Sequence, residues 1–147
     1  MPAGCSGHPE GNPDVERVVR HGSATRYEAN PGASFIDFFN CDLGCPQMSG
    51  GYGLFQPGAQ LPCHLHDFDE SISIVQGRAT CIVEGNRYSL SHNATALVPR
   101  GRCHYFINDS DAPMAMIWVY AGPSPVRIVL EASLCDLPRA ATGPSTA

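Results

Sequence analysis

Turn-forming residues divide most of this chain into short apolar segments. From position 50 onward, glycine, proline and asparagine interrupt the apolar runs about every 8 to 12 residues, a spacing typical of all-β sandwiches and barrels. Between Tyr27 and Ala132 no segment has the apolar periodicity of a long amphipathic helix. We therefore predict an all-β domain over residues 15–135, with flexible segments at 1–14 and 136–147 that are rich in small and polar residues. The predicted strands are 15–19, 34–39, 50–56, 71–76, 78–83, 88–90, 95–98, 104–108, 114–121 and 126–132.

Two histidines, His64 and His66, stand two residues apart in a segment that favours a strand. Side chains at i and i+2 of a strand point to the same face, so these two imidazoles lie together. Residues 67–69 predict a turn, after which Glu70 opens the next strand with an inward side chain. His104, in a later strand, can complete a set of three imidazoles and one carboxylate, which suits a divalent metal such as Fe, Mn, Co, Ni or Zn.

This spacing resembles the two sequence motifs of the cupins. The first motif is matched by Gly58, His64, His66, Glu70 and Gly77, and the second by Pro99, Gly101, His104 and Asn108. Together the motifs cover residues 58–108, about a third of the chain. The resemblance implies a small single-domain protein of the cupin-2 type, with a jelly-roll barrel (a double-stranded β-helix) and a metal site, but it does not specify a reaction.

The second motif usually opens with a glycine, and this chain has Asn93 at that position. Asparagine tolerates a positive φ better than other non-glycine residues. We therefore expect the turn to be retained.

Isolated histidines are usually structural, an interpretation that suits His8, His21 and His92. It fails for the set of four, because buried polar groups that converge without an ion would stay unsatisfied. Glu70 can serve as a plain ligand or, alternatively, as a catalytic base beside the metal.

Side-chain alternation predicts which residues line the substrate pocket, and core packing is the alternative for each of them. The candidates are Tyr52, Gln60, Phe106, Asn108, Met116 and Trp118. No lysine or arginine is predicted inside the barrel, since Arg100 and Arg102 flank the second motif on an outer turn. Residues 114–120 are apolar on both faces, which predicts a homodimer.

Charge and cysteine content narrow the partners and the compartment. The net charge of -5, without any cluster of basic residues, argues against nucleic acid and anionic membranes as partners. The chain has no apolar run long enough to span a bilayer and no signal-peptide pattern at its start. Seven cysteines, an odd number, predict reduced thiols in a cytoplasmic protein, and the Cys41–Cys45 pair alone is a weak zinc signal.

Four protein ligands leave about one or two open positions on a metal ion, where a substrate can chelate. We expect a metal-dependent enzyme that acts on a small, oxygen-rich molecule. With Fe(II), the resemblance implies a dioxygenase, which the apolar pocket lining favours. With Mn, Ni or Zn, it implies a redox-neutral lyase, isomerase or decarboxylase. A non-catalytic, metal-dependent ligand-binding protein and a purely structural barrel are the alternatives.

Overall fold

The structure is a computed structural model that describes residues 14–138. The strands are β1 (Arg26–Asn30), β2 (Ala33–Phe39), β3 (Ser49–Phe55), β4 (His64–Leu65), β5 (Glu70–Gln76), β6 (Arg78–Val83), β7 (Asn86–Ser91), β8 (Thr95–Val98), β9 (His104–Ile107), β10 (Met114–Tyr120) and β11 (Ile128–Val129). A 3-10 helix, Ala132–Asp136, is the only helix among these residues. Within the same residues no helix has the length and apolar character needed to cross a membrane.

The strands form two antiparallel sheets that face each other. One sheet has six strands in the order β1-β2-β3-β10-β5-β8, and the other has five in the order β11-β4-β9-β6-β7. From β3 onward the chain passes from one sheet to the other at every strand except within the β6–β7 hairpin, as in a jelly roll. The predicted all-β barrel is confirmed.

The core lies between the sheets, where alternate side chains of each strand are buried. In β5, Glu70, Ile72 and Ile74 are buried while the residues between them are partly exposed, as their spacing predicts. In β10 one face is fully buried; it consists of Met114, Met116, Trp118 and Tyr120. On the opposite face of β10, Ile117 and Val119 are only half-buried, and the homodimer inferred from this face stays a prediction.

Two tight turns depend on residues with positive φ. Asn93 has a φ of 69°, so the expectation that this asparagine replaces the motif glycine is confirmed. Glu84 (φ 46°) and Gly85 (φ 82°) connect β6 to β7 as a two-residue hairpin turn. Asn86 does not belong to the turn, because it already pairs with Val83 as the first residue of β7.

Two predicted strands differ from the structure. Residues 15–19 are exposed and form no strand, because β-branched residues alone do not make one without a neighbouring strand. The first strand is β1, which the sequence analysis left out. Of residues 126–132, only Ile128–Val129 form a strand, and the chain then enters the 3-10 helix. Most of the predicted flexible ends, 1–13 and 139–147, lie outside the described residues.

The prediction that the cysteines are reduced is wrong. Cys63 and Cys135 form a disulfide, with Cα atoms 5.8 Å apart, and Cys41 is disulfide-bonded as well. The first pair is brought together by long-range pairing of β11 with β4, which no local pattern reveals. The free cysteines among the described residues are Cys45, Cys81 and Cys103.

Candidate metal centre

The four predicted metal ligands converge in the interior of the barrel. His64 begins β4, His104 begins β9, and the two residues pair directly across the sheet. His66 follows β4 and Glu70 begins β5, so the opposite sheet contributes the carboxylate. All four side chains are buried, and each offers one ligand atom, a His nitrogen or a Glu oxygen, that lies within 4.8 Å of the other three.

Backbone carbonyls fix the orientation of all three imidazole rings. A carbonyl oxygen only accepts hydrogen bonds, so each Nδ1 carries the proton and donates it. In the neutral ring this leaves the lone pair on Nε2, which is the atom available to a metal. The donor–acceptor pairs are His64 Nδ1 to Pro62 O at 2.7 Å, His66 Nδ1 to Val126 O at 2.7 Å and His104 Nδ1 to Arg102 O at 2.8 Å.

The Nε2 atoms gather around Glu70. Glu70 Oε2 lies 2.7 Å from Nε2 of His104 and 3.1 Å from Nε2 of His66. Nε2 of His66 is nevertheless buried without a hydrogen-bond partner, because its contact with the carboxylate is poorly directed. Each of these two rings donates a proton from Nδ1 and has Nε2 close to a carboxylate oxygen. A cation bound by both the nitrogen and the oxygen would satisfy this arrangement.

Burial and neighbouring charges set the protonation states of the site. Burial and the nearby His104 lower the pKa of His64 to about 3. Burial raises the pKa of Glu70, but the adjacent His104 and His66 outweigh it and bring the value to about 2. Near neutral pH, His64 is therefore neutral and Glu70 is ionised, which are the states that metal ligands require.

An aromatic wall holds His66 in place. Its ring stacks on Phe68 at 5.1 Å and lies 4.5 Å from Tyr120, while Trp118 lies 4.7 Å beyond Tyr120. The Phe68 ring covers Gly122, where a Cβ would collide with it. Only a glycine at that position therefore allows this stacking.

Comparison with known proteins agrees with this geometry. Residues 51–120, which include the four candidate ligands, match the family model of the cupin domain. An RmlC-like cupin from Shewanella frigidimarina superimposes with a TM-score of 0.65 over 76% of this chain and 94% of that one, at 17% identity. The chain belongs to the cupin superfamily.

Other solved structures share the fold of this cupin at low sequence identity. The polyketide cyclase RemF from Streptomyces resistomycificus gives a TM-score of 0.69 at 13% identity, over 83% of this chain and 90% of that one. A formate complex of oxalate decarboxylase from Lactobacillus farciminis gives 0.67 at 20% identity, over 74% of this chain and 34% of that one. At these identities the likeness concerns the fold alone.

One curated protein matches over a short stretch. It is described as endoribonuclease YbeY of Myxococcus xanthus, with 38% identity over 56 residues. The match spans 38% of this chain and only 19% of that protein's length. It therefore carries no conclusion about the activity of this cupin.

Four of the six predicted pocket residues lie inside the barrel. Phe106, Met116 and Trp118 are buried in the core cluster between the sheets. Asn108 is fully buried, and its side-chain Nδ2 donates to the backbone oxygens of Phe55, at 3.0 Å, and Ala112, at 2.8 Å. These bonds give Asn108 a structural task in joining two strand ends.

The other two predicted pocket residues lie elsewhere. Tyr52 pairs with Ile117 on the outer face of the six-stranded sheet, where its ring is 4.4 Å from that of His21. Gln60 is exposed, and its backbone oxygen accepts a hydrogen bond from Asn30. Both positions differ from the prediction, because the register of β3 and of the segment after it could not be fixed without the partner strands.

A cavity of about 350 Å³ opens between β7 and β8, and none of the four candidate ligands is among the residues that line it. Two of its wall residues are strand partners of ligands, since Val83 pairs with His104 and Val98 pairs with Glu70. Burial and the charge of Glu70 raise the pKa of Cys81, one of the lining residues, to about 12. This cavity was not predicted from the sequence; its lining includes Cys81, Val83, Tyr88, Leu90, Val98 and Arg102.

The last described segment contributes to the site through its backbone. The carbonyl of Val126 orients His66 across 60 residues of sequence. β11 pairs with β4, and the amide of Leu130 donates to the oxygen of Cys63 at 2.9 Å. No sequence motif marks this contribution, because any residue at position 126 would present the same carbonyl.

Proposed function

We propose that this cupin binds one divalent transition metal through His64, His66, Glu70 and His104 and is a metal-dependent enzyme. The observation that carries the proposal is the buried Nε2 of His66, which has no hydrogen-bond partner and lies among three other potential ligand atoms. An unpaired buried nitrogen costs free energy, and a bound cation would offset that cost. Three nitrogen donors and one oxygen donor fit Fe, Mn, Co, Ni or Zn.

The substrate is a small, oxygen-rich molecule that chelates the metal. A bound metal would act as a Lewis acid on such oxygens, since four protein ligands leave coordination positions open. The cavity between β7 and β8 offers space of the size that a small molecule needs, next to the strand partners of His104 and Glu70.

Two chemistries are consistent with such a centre. Oxygen activation would require Fe(II), whereas a redox-neutral lyase, isomerase or decarboxylase reaction would use Mn, Ni or Zn. The preference for a dioxygenase rested on an apolar pocket lining without any basic side chain inside the barrel. That reason no longer holds, because the guanidinium of Arg127 lies 5.0 Å from the centre of the buried Phe35 ring.

Metal analysis is the direct test. Protein purified without chelator should contain about one metal ion per chain, and His104→Ala should lose it. The exposed His92 offers a matched control, since His92→Ala leaves the site intact and should retain the metal. Iron would lead to oxygen-uptake assays, and Mn, Ni or Zn to anaerobic lyase and isomerase assays. A wild-type protein that takes up no metal even after reconstitution would refute the proposal.

The role of Glu70 can be separated from that of the histidines. We assign Glu70 to the ligand set, because its Oε2 lies within 3.1 Å of two Nε2 atoms. Glu70→Gln keeps the shape and removes the charge, and should weaken metal binding by about 10- to 100-fold. If metal affinity were unchanged while turnover was lost, Glu70 would instead be a base beside the metal.

A further inference from the structure

Arg127 brings a cation to the wall of the barrel beside the candidate metal centre. It follows Val126, whose carbonyl orients His66, so its position is linked to the site by the chain itself. The guanidinium carbon lies 5.0 Å from the centre of the Phe35 ring, a cation–π distance, and Phe35 is 1% exposed. The side chain therefore points inward although its residue lies next to an edge strand.

No carboxylate neutralises this cation. Within residues 14–138, no Asp or Glu oxygen lies within 4.0 Å of the Arg127 guanidinium, and its Nε is buried without a hydrogen-bond partner. Tyr27 is close by, but its hydroxyl already donates to Asp37 at 2.7 Å. A partly buried cation with an unused donor is costly, and an anion bound to it would remove the cost.

A second unused donor lies on the same wall. Trp118 is 2% exposed, and its indole Nε1 is buried without a partner. Its ring is 4.7 Å from that of Tyr120, which in turn contacts His66 at 4.5 Å and interacts with Arg127. Buried tryptophan N–H groups usually have an acceptor, so an unused one beside Tyr120, which Arg127 also reaches, indicates that a ligand supplies it.

We propose that Arg127, the indole N–H of Trp118 and the hydroxyl of Tyr120 bind the carboxylate of a small organic acid beside the metal. The planar guanidinium matches a carboxylate, and a single arginine suits a singly charged group better than a phosphate dianion. The statement that this acid is the substrate rests on the proposed function. The anion site itself does not depend on a bound metal.

Fluorescence titration tests the proposal, because Trp118 is the only tryptophan of the chain. The probes are acetate, glycolate and oxalate, with acetamide, glycolamide and oxamide as neutral counterparts, on metal-loaded and metal-free protein. At least one acid should bind the wild type and change its fluorescence, and the matching amide should not. Arg127→Met should weaken acid binding about tenfold or more, and Arg127→Lys should lose less. Arg78→Met, at an exposed position, is the matched control and should bind like the wild type.

The outcomes separate this inference from the proposed function. Equal acid affinity in wild type and Arg127→Met, equal binding of acids and amides, or no acid binding at all would each overturn the anion site. Because Arg127 is not a metal ligand, Arg127→Met should hold as much metal as the wild type. If the wild type held no metal but bound acids through Arg127, the proposed enzyme function would fail and the anion site would stand.

Discussion

Breaking the cross-link between Cys63 and Cys135 should lower the free energy of unfolding by about 4 kcal/mol. The two residues are separated by 72 positions, and closing a loop of that length in the unfolded chain removes about 4 kcal/mol of conformational entropy. Both cysteines are buried, at 3% and 0% exposure, so the bond lies within the fold and is shielded from solvent reductants.

Urea denaturation of Cys63→Ala, Cys135→Ala and the double variant measures this contribution. Either single substitution breaks the bond, so each should lose nearly as much stability as the double variant. Cys103→Ala is the control, since Cys103 is a half-buried free thiol and should change stability little.

The pattern of losses decides whether the reasoning holds. If each single variant lost little free energy of unfolding and the double variant lost the sum of the two, the sulfur atoms would contribute only packing. Thiol titration of the unfolded wild type gives an independent check, because a reduced pair would add two reactive thiols. Either result would refute the cross-link as a source of stability.

Three further predictions concern positions that the fold constrains. In metal-free protein, the pKa of His64 is about 3 when folded and about 6.5 when unfolded. The free energy of unfolding should therefore fall by about 1.4 kcal/mol for each pH unit between about pH 6.5 and 3, and the melting temperature of His64→Asn should depend less on pH over that range. In urea denaturation, Gly77→Ala should lower the free energy of unfolding by about 2 kcal/mol or more, because φ is +67° and the new Cβ would lie 2.6 Å from a backbone oxygen. Gly58→Ala is the control, with φ +82° but open space around the new Cβ, and should cost about 1 kcal/mol. Equal losses of stability in the two variants would contradict the steric explanation. Asn108→Ala should cost about 2 kcal/mol or more in thermal unfolding, because two carbonyls lose their donor; a loss below about 0.5 kcal/mol would show that water replaces it.

The sequence was sufficient for features that depend on local periodicity. Alternation along a strand places His64 and His66 on one face, and the same parity puts Ile72 and Trp118 in the core. Asn93 could be assigned a positive φ because a single residue type and a known turn position are enough for that inference. The candidate ligand set and the all-β fold were therefore predictable.

Pocket residues and strand ends were harder, because they depend on register against a partner strand. Tyr52 lies on the outer face of β3, which follows only from its pairing with Ile117 in β10. Residues 15–19 have strand-forming composition but no neighbouring strand, so composition alone was misleading.

Tertiary structure alone decided the long-range features around the candidate site. The disulfide between Cys63 and Cys135, the Val126 carbonyl that orients His66, and the inward Arg127 all depend on pairing of β11 with β4. That pairing joins segments about 60 residues apart, and a two-residue strand is too short to show a periodicity from which it could be predicted. The sequence therefore determines which atoms can hold a metal, whereas the fold of residues 126–130 determines how the His66 ring is oriented and what charge lies beside the site.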